Sequence, residues 1–222
     1  MAGAIMIVNG KLSRNDYCNL KSCSKGTHTM CLFSPETFAS RCGKVSSSGM
    51  TAAEIQEVVD LHNEFRAKVA SGHEKRGRPG PQPAASNLGP LTWNPELAKI
   101  AQTWANQCNI KAGTAHDECR NDEHGYVGQN MALGPSSWDL SALVSHWYNE
   151  VEAFDRREVK AYTGKNLMKT GHYTQLVWAE TTEIGCGVTR FHHPIEGYEI
   201  TLLICNYGPG GNIGNYPIYQ SR

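Results

Sequence analysis

Mostly apolar side chains recur at helical spacing in the first half of the chain. This pattern begins directly after a sequence that is typical of a helix N-terminus. Thr51 and Glu54 lie three residues apart, and such a pair satisfies free backbone amides of a first helical turn with a hydroxyl and a carboxylate. Behind them, six side chains lie on one side of a helix: Ile55, Val58, Val59, His62, Phe65 and Val69. The glycine- and proline-rich residues 77–83 break this periodicity. The pattern therefore predicts a first long helix followed by an extended loop.

Three further helices are predicted downstream. Asn94 is a typical N-cap residue, and Pro95 is favoured at a first helical position. The stripe of this second helix is Leu97, Ile100, Ala101, Trp104, Ala105 and Cys108. The third helix follows the turn at residues 135–137 and carries Leu140, Leu143, Val144, Trp147, Val151 and Phe154 on one side. A shorter fourth helix is expected within residues 173–179.

The last third of the chain predicts a β-hairpin. Residues 184–193 and 198–207 are rich in β-forming side chains, and residues 194–197 form the connecting loop. This loop pairs His193 with Tyr198, which places Cys186 directly opposite Cys205. Facing residues of an antiparallel pair lie about 4.5–5.5 Å apart at Cα, within reach of a disulfide. The register and a Cys186–Cys205 bridge therefore support each other.

Cysteine usage points to an oxidising compartment. The chain has eight cysteines, an even number, and they form neither a CxxC pair nor a set with zinc-finger spacing. We therefore expect disulfides and a secreted, extracellular protein, since disulfides persist outside the cytosol. The pairing of the six cysteines outside the hairpin stays open among fifteen alternatives by arithmetic alone.

The residues before the first long helix are expected to form two segments. Residues 17–49 hold four cysteines and almost no apolar periodicity, so we expect disulfides to hold this segment to the rest of the chain. Residues 1–16 are expected to be a non-native or disordered leader, since no secretory signal peptide precedes the cysteine-rich part.

Composition and charge exclude several classes of protein. The 222 residues contain 21 basic and 21 acidic side chains, and the formal net charge of zero gives no basis for binding nucleic acid. No apolar run approaches the roughly 20 residues of a transmembrane segment. The sequence also lacks glycine-rich phosphate-binding motifs and the G-x-S-x-G nucleophile motif. Transmembrane and nucleotide-binding functions are therefore not expected.

Glu150 is the most informative single residue. It lies in the stripe of the third helix, where an unpaired charge is costly. Either Glu150 lies at the stripe edge and reaches water, or it meets a partner in a cleft, for which His116 and His172 are the candidates. Two imidazoles and a carboxylate suit zinc or copper, and a Glu–His pair near a hydroxyl suits acid–base catalysis. The remaining histidines that are expected to be ordinary surface or loop residues are His73, His124, His146, His192 and His193.

Several motifs resemble those of one family. Residues 171–178 read GHYTQLVW and residues 202–213 read LLICNYGPGGNI. Together with HNEFR at 62–66 and GQNM at 128–131, they resemble the signatures of the CAP superfamily of cysteine-rich secretory, antigen 5 and pathogenesis-related proteins. The antigen 5 allergens of stinging-insect venom have segments similar to three of this chain: the cysteine-rich segment, GPQP at 80–83 and WANQC at 104–108.

This resemblance implies a fold and a pattern of disulfides. The fold is α+β, a three-layer α-β-α sandwich with a small central antiparallel sheet. Residues 50–222 would form the CAP domain, and residues 17–49 would be an N-terminal extension stapled onto it. The implied bridges are Cys18–Cys31, Cys23–Cys119, Cys42–Cys108 and Cys186–Cys205.

The resemblance also implies a cleft with four polar side chains. The family gathers two histidines and two glutamates, sometimes around zinc, and the matching positions here are His116, Gln129, Glu150 and His172. Gln129 departs from the pattern, because a neutral amide replaces a carboxylate and lowers the affinity for a divalent metal. We therefore expect no resident cofactor, and at most weak zinc binding through His116 and His172.

The function implied by the resemblance is binding without catalysis. We expect a secreted, monomeric, non-enzymatic venom allergen of the antigen 5 type, which host IgE recognises and which carries a fatty acid, a sterol or another small ligand. One alternative is a protease- or esterase-like hydrolase that uses His116, Glu150 and His172. A second alternative is a toxin directed at a receptor or channel.

Overall fold

Helices surround one five-stranded sheet. The computed structural model describes residues 12–110, 115–195 and 197–222. Within these residues the helices are α1 (Arg14–Cys18), α2 (Thr29–Leu32), α3 (Ala52–Ala70), α4 (Pro95–Ala105), α5 (Leu140–Asn149) and α6 (Leu167–Leu176). The strands are β1 (Val45–Ser48), β2 (Thr92–Trp93), β3 (Gly128–Pro135), β4 (Glu183–His192) and β5 (Glu199–Gly208). Short 3-10 helices cover Ser40–Cys42, Glu150–Ala153 and Arg156–Val159. The predicted α+β class is confirmed.

Two helix starts lie where the capping residues predict them. The Thr51 hydroxyl accepts the Glu54 amide at 3.2 Å, and the Glu54 carboxylate accepts the Thr51 amide at 2.7 Å. Asn94 caps α4, since its side-chain oxygen accepts the backbone amides of Glu96 and Leu97 at 2.8 and 3.1 Å. Local hydrogen-bond chemistry therefore fixes the starts of α3 and α4, as the sequence predicts.

The hairpin has the predicted register. Strands β4 and β5 pair antiparallel with Cys186 opposite Cys205, and the His193 amide donates to the Tyr198 carbonyl at 2.8 Å. A disulfide joins the two facing cysteines, whose Cα atoms are 4.0 Å apart. The three other bridges implied by the family resemblance are confirmed: Cys18–Cys31, Cys23–Cys119 and Cys42–Cys108.

The N-terminal segment departs from its predicted boundaries at both ends. Helix α1 begins before residue 17, because the Ser13 hydroxyl accepts the Asp16 amide while the Asp16 carboxylate accepts the Ser13 amide. Strand β1 lies inside the predicted extension, yet it pairs with β4 and so belongs to the central sheet. Residues 1–11, most of the predicted leader, lie outside the described residues.

Three other elements differ from the prediction. Strand β3 was not expected, because its residues are buried along most of its length and lack alternation of apolar and polar side chains. Helix α6 begins at Leu167, ahead of the expected residue 173, since its first turn carries exposed side chains that do not form an apolar stripe. The third helix leaves the α conformation at Asn149, and a 3-10 helix starts at Glu150.

The sheet is covered on both faces. Its order is β1-β4-β5-β3, with β2 parallel to β4. Ala101 and Trp104 of α4 pack with Leu202 and Ile204 of β5 on one side. On the other side, Val58, Trp147 and Leu176 of α3, α5 and α6 pack with Val188, Leu203 and Tyr207. Successive residues of a strand point to opposite faces, so this burial on both sides explains the continuous apolar character of β5.

A buried arginine ties α3 to the end of α6. The Arg66 guanidinium is buried and donates to the carbonyls of Gly89, Leu176, Trp178 and Thr181 at 2.6 to 3.0 Å. Burial lowers the pKa of Arg66 to about 10, so the group stays charged at neutral pH. These hydrogen bonds to four carbonyl oxygens replace water and hold the segment after α6 in place.

Helix α4 approaches β4 closely because glycine stands at the contact. A Cβ atom at Gly187 would lie 2.3 Å from the Gln102 Cα atom. We expect Gly187→Ala to lower the free energy of unfolding by about 2–3 kcal/mol, because helix and strand would have to move apart. Urea unfolding measures this change. The control is Gly89→Ala, where no atom lies within 4 Å of the added methyl group; equal stabilities of the two variants would contradict the close packing.

Candidate functional site

Four segments bring the predicted cleft residues together. Glu150 caps the C-terminus of α5, and His172 lies in α6, which packs against that end of α5. Gln129 is the second residue of β3, and His116 lies in the loop before it. The structure therefore forms two pairs, Glu150 with His172 and Gln129 with His116.

The Glu150 carboxylate is fully engaged with α6. One oxygen accepts a hydrogen bond from His172 Nδ1 at 2.7 Å. The other accepts the backbone amides of His172 and Tyr173 at 2.9 and 3.1 Å. The Glu150 side chain is only 16% exposed, so these three donors compensate for the water that the charge has lost. Of the two alternatives for Glu150, the partner in a cleft is the one found.

Gln129 holds His116 in the equivalent way. Its side-chain oxygen accepts from His116 Nδ1 at 2.7 Å. Its amide nitrogen donates to the carboxylate of Asp117 at 3.2 Å and to the side-chain oxygen of Asn206 at 3.0 Å. Asp117 is a carboxylate that accepts and does not donate, which fixes the orientation of the amide. A glutamine therefore meets a need for donors that a glutamate in its place would not meet.

The imidazoles of His116 and His172 have the same tautomer in their neutral form. Nδ1 of each ring donates to an oxygen, so Nε2 carries the lone pair in the neutral form. Desolvation by the surrounding protein lowers the pKa of His116, while its hydrogen bond to Gln129 acts in the opposite direction. Among the described residues, no hydrogen-bond partner lies at either Nε2 atom.

The described residues of the cleft offer two imidazoles as possible zinc ligands. Zinc sites use three or four protein ligands, and in this structure the oxygens of Glu150 and Gln129 face His172 and His116 as hydrogen-bond acceptors. Among the described residues, no group of three or more His, Cys, Asp or Glu side chains is placed to hold a metal. Only His116 and His172 remain as ligands, so weak zinc binding stays a prediction.

The surroundings of His172 bear on the hydrolase alternative. Glu150 orients His172 as the acidic member of a catalytic triad orients its histidine. In the part of the chain that the structure describes, however, no hydroxyl donates to Nε2 of His172, and all cysteines are in disulfides. Hydrolysis here would have to use water activated by an imidazole.

A second hydrogen-bonded network lies beneath the cleft. Asn130 of β3 donates to the His172 carbonyl at 3.0 Å and to the Tyr207 hydroxyl at 3.1 Å. The same hydroxyl lies 2.9 Å from Nε2 of His62, whose Nδ1 donates to the Val58 carbonyl at 2.7 Å. Burial lowers the pKa of His62 to about 4, so the ring is neutral. Helical spacing predicts His62 in a core stripe, but no local pattern predicts its polar partners, because they lie in distant strands.

The other histidines take no part in the cleft. His73, His124 and His146 are exposed, while His192 and His193 are partly buried at the far end of the hairpin.

A separate concavity lies along α3. It has a volume of about 370 Å³, and its lining includes Ala67, Ala70, Leu88, Pro90 and Arg222. None of the four cleft residues lines it. This concavity, called the α3 cavity below, has no signal in the sequence, because its walls come from three distant segments.

Comparisons with known proteins agree with the resemblance inferred from the motifs. The model of the cysteine-rich secretory protein (CAP) family matches residues 59–207. Venom allergen 3 of Solenopsis invicta is 47% identical over 215 residues, covering 93% of this chain and 90% of that protein. Venom allergen 5.02 of Vespa crabro is 47% identical over 214 residues, covering 94% of this chain and 100% of that protein. The crystal structure of NaASP2 with Zn2+ is similar at a TM-score of 0.64 and 27% identity, covering 78% of this chain and 88% of that one.

We expect Gln129→Glu to destabilise the protein at neutral pH. The introduced carboxylate would face Asp117 and Asn206 without a proton to donate, at a cost of about 2–3 kcal/mol. Such a carboxyl has a raised pKa in the folded state, so the loss should shrink as pH falls toward about 4.5 and the group takes up a proton.

Urea unfolding at both pH values measures this effect. The matched control is Gln56→Glu, because Gln56 also donates to an aspartate, Asp60, but on the exposed surface of α3. If Gln129→Glu were as stable as the wild type at neutral pH, the need for an amide here would be refuted.

Proposed function

The chain belongs to the cysteine-rich secretory protein (CAP) family, in its antigen 5 group, and we propose that it is a secreted venom allergen that acts by binding. The support is its 46–48% identity to proteins named venom allergens from ants and wasps over at least 93% of the chain. A venom protein of this kind meets the immune system of a stung host, which makes host IgE its expected partner.

Secretion is supported by the disulfides. Four bridges join all eight cysteines, and such bridges persist in oxidising compartments. In the described residues, no helix is both long and apolar enough to cross a membrane.

The state of Glu150 carries the proposal of binding without turnover. Both oxygens of the Glu150 carboxylate accept hydrogen bonds from α6, two of them from backbone amides, and only 16% of the side chain is exposed, so little of this carboxylate is open to a substrate. The carboxylate holds α5 against α6, which is a structural role. We therefore infer that the cleft residues stabilise the fold and that the ligand binds at another site.

The hydrolase alternative has one observation in its favour. His172 is oriented by Glu150 and keeps Nε2 free, which is the arrangement of a general base with an acidic partner. This alternative requires hydrolysis by purified protein that is lost in His172→Ala. The proposed function expects no such hydrolysis.

We place the ligand of the proposed carrier activity in the α3 cavity. Its volume of about 370 Å³ falls within the range of small-molecule sites, roughly 300–1,000 Å³. Alanine, leucine and proline in its lining suit an aliphatic chain, while Arg222 offers a charge to a carboxylate. This combination favours a fatty acid over a sterol.

Filling the cavity should weaken lipid binding. Ala67 is exposed on α3 at the cavity, so we expect Ala67→Trp to fold normally and to weaken palmitate binding about tenfold or more by steric exclusion. Native mass spectrometry and calorimetry with palmitate measure the binding. The matched control is Ala53→Trp, an exposed position of the same helix away from the cavity.

Two results would contradict the carrier proposal. One is a wild-type protein that does not bind palmitate. The other is an Ala67→Trp variant that binds it as tightly as Ala53→Trp.

A further inference from the structure

A second concavity, called the basic cavity here, collects positive charge. It has a volume of about 440 Å³ and seven lining residues, of which Arg156, Arg157, Lys160 and Arg222 are cationic and none is acidic. The whole chain has a formal net charge of zero. The basic cavity is therefore a local concentration of charge on a neutral protein.

Backbone hydrogen bonds hold the walls of the basic cavity together. The Ile218 amide donates to the Val159 carbonyl, and the Arg222 amide donates to the Ala84 carbonyl, both at 2.9 Å. Asp155 caps the 3-10 helix that carries the cations by accepting the Arg157 amide at 2.9 Å. Residues 84, 155–159 and 218–222 thus form one connected surface, and the cationic side chains project from a fixed backbone.

The nearby carboxylates neutralise only one of the four cations, Arg157. Asp155 forms an ion pair with Arg157 at 2.6 Å. Glu158 accepts hydrogen bonds from the amide and the hydroxyl of Thr163 at 3.3 and 2.8 Å. Within residues 12–110, 115–195 and 197–222, the side chains of Arg156, Lys160 and Arg222 form no ion pair. Three exposed cations that face one concavity repel one another, and a bound polyanion would remove that repulsion.

We propose that the basic cavity binds a sulfated polysaccharide. Arginine binds sulfate and phosphate oxyanions with two parallel hydrogen bonds, and lysine adds a mobile point charge. A sulfated glycan presents such anions in series, which matches several cations around one cavity. It is also the polyanion that a protein outside cells meets, so this choice of partner rests on the secretion in the proposed function.

A membrane surface fits the basic cavity less well. Proteins that bind bilayers through a cationic patch also insert apolar side chains beside it. None of the large apolar side chains that are exposed in the described residues lines this cavity. Charge without an apolar anchor therefore favours a hydrated glycan over a lipid headgroup.

Binding of a heparin hexasaccharide tests the proposal. Calorimetry at ionic strengths of about 0.05 and about 0.15 M should show binding that weakens with salt. EDTA in the buffer prevents metal-bridged binding at His116 and His172. We expect Arg156→Ala/Lys160→Ala to weaken binding about tenfold at the lower ionic strength, with a shallower dependence on salt, since two cationic contacts are lost. Both side chains are exposed, so the unfolding temperature should not change.

A second double variant controls for net charge. Lys21→Ala/Lys25→Ala removes the same charge from exposed positions of the N-terminal segment, and we expect it to bind the hexasaccharide as the wild type does. Desulfated heparin should not bind. The Ala67→Trp variant should keep its glycan binding, so a failure of the carrier proposal is distinguished from a failure of this one.

Three outcomes would overturn the proposal. The first is no binding of the hexasaccharide by the wild type at the lower ionic strength. The second is an equal loss in both double variants, which would indicate a general charge effect. The third is binding to vesicles that contain phosphatidylserine without binding to the glycan.

Discussion

A partly buried carboxylate must find donors, and in this protein Glu150 finds them on α6. Its two oxygens accept the backbone amides of His172 and Tyr173 and the ring proton of His172. Removing one partner of such a group leaves an uncompensated charge, which costs more than the hydrogen bond contributes in the folded state. The end of α5 is therefore fixed to α6, and the orientation of His172 follows from that contact. The α6 backbone in turn reaches β3 through Asn130, so the cleft is continuous with the core.

The same requirement explains the departure of this chain from the family pattern. Gln129 lies beside Asp117 and Asn206, which both present acceptors, so the position needs donors and an amide supplies them. His116 and His172 are then held by an amide and a carboxylate with Nδ1 toward the protein. In the structure, the four residues form two oriented imidazoles with the side chains that hold them. We propose that ligands bind at two cavities outside this cleft.

The predictable parts of the structure are those that local chemistry decides. Thr51 and Asn94 mark helix starts because their side chains bond amides two or three residues away, and the hairpin loop fixes the pairing of Cys186 with Cys205. Strand β3 was missed because a strand buried on both faces shows no alternation. The family resemblance placed the four cleft residues, but the partners that give Gln129 its role come from β5 and a loop. Both cavities depend on segments distant in sequence, and no local pattern reveals them.

The stability and activity of Glu150→Gln test the structural role of the cleft most directly. An amide in this place would turn its NH2 group toward a hydrogen-bond donor, so we expect a loss of about 2–3 kcal/mol in the free energy of unfolding. The control Glu152→Gln, at a side chain that is 69% exposed, should change it by less than about 0.5 kcal/mol. The structural role of Glu150 would be contradicted if Glu150→Gln were as stable as the wild type and lost a peptide or ester hydrolysis that the wild type performs.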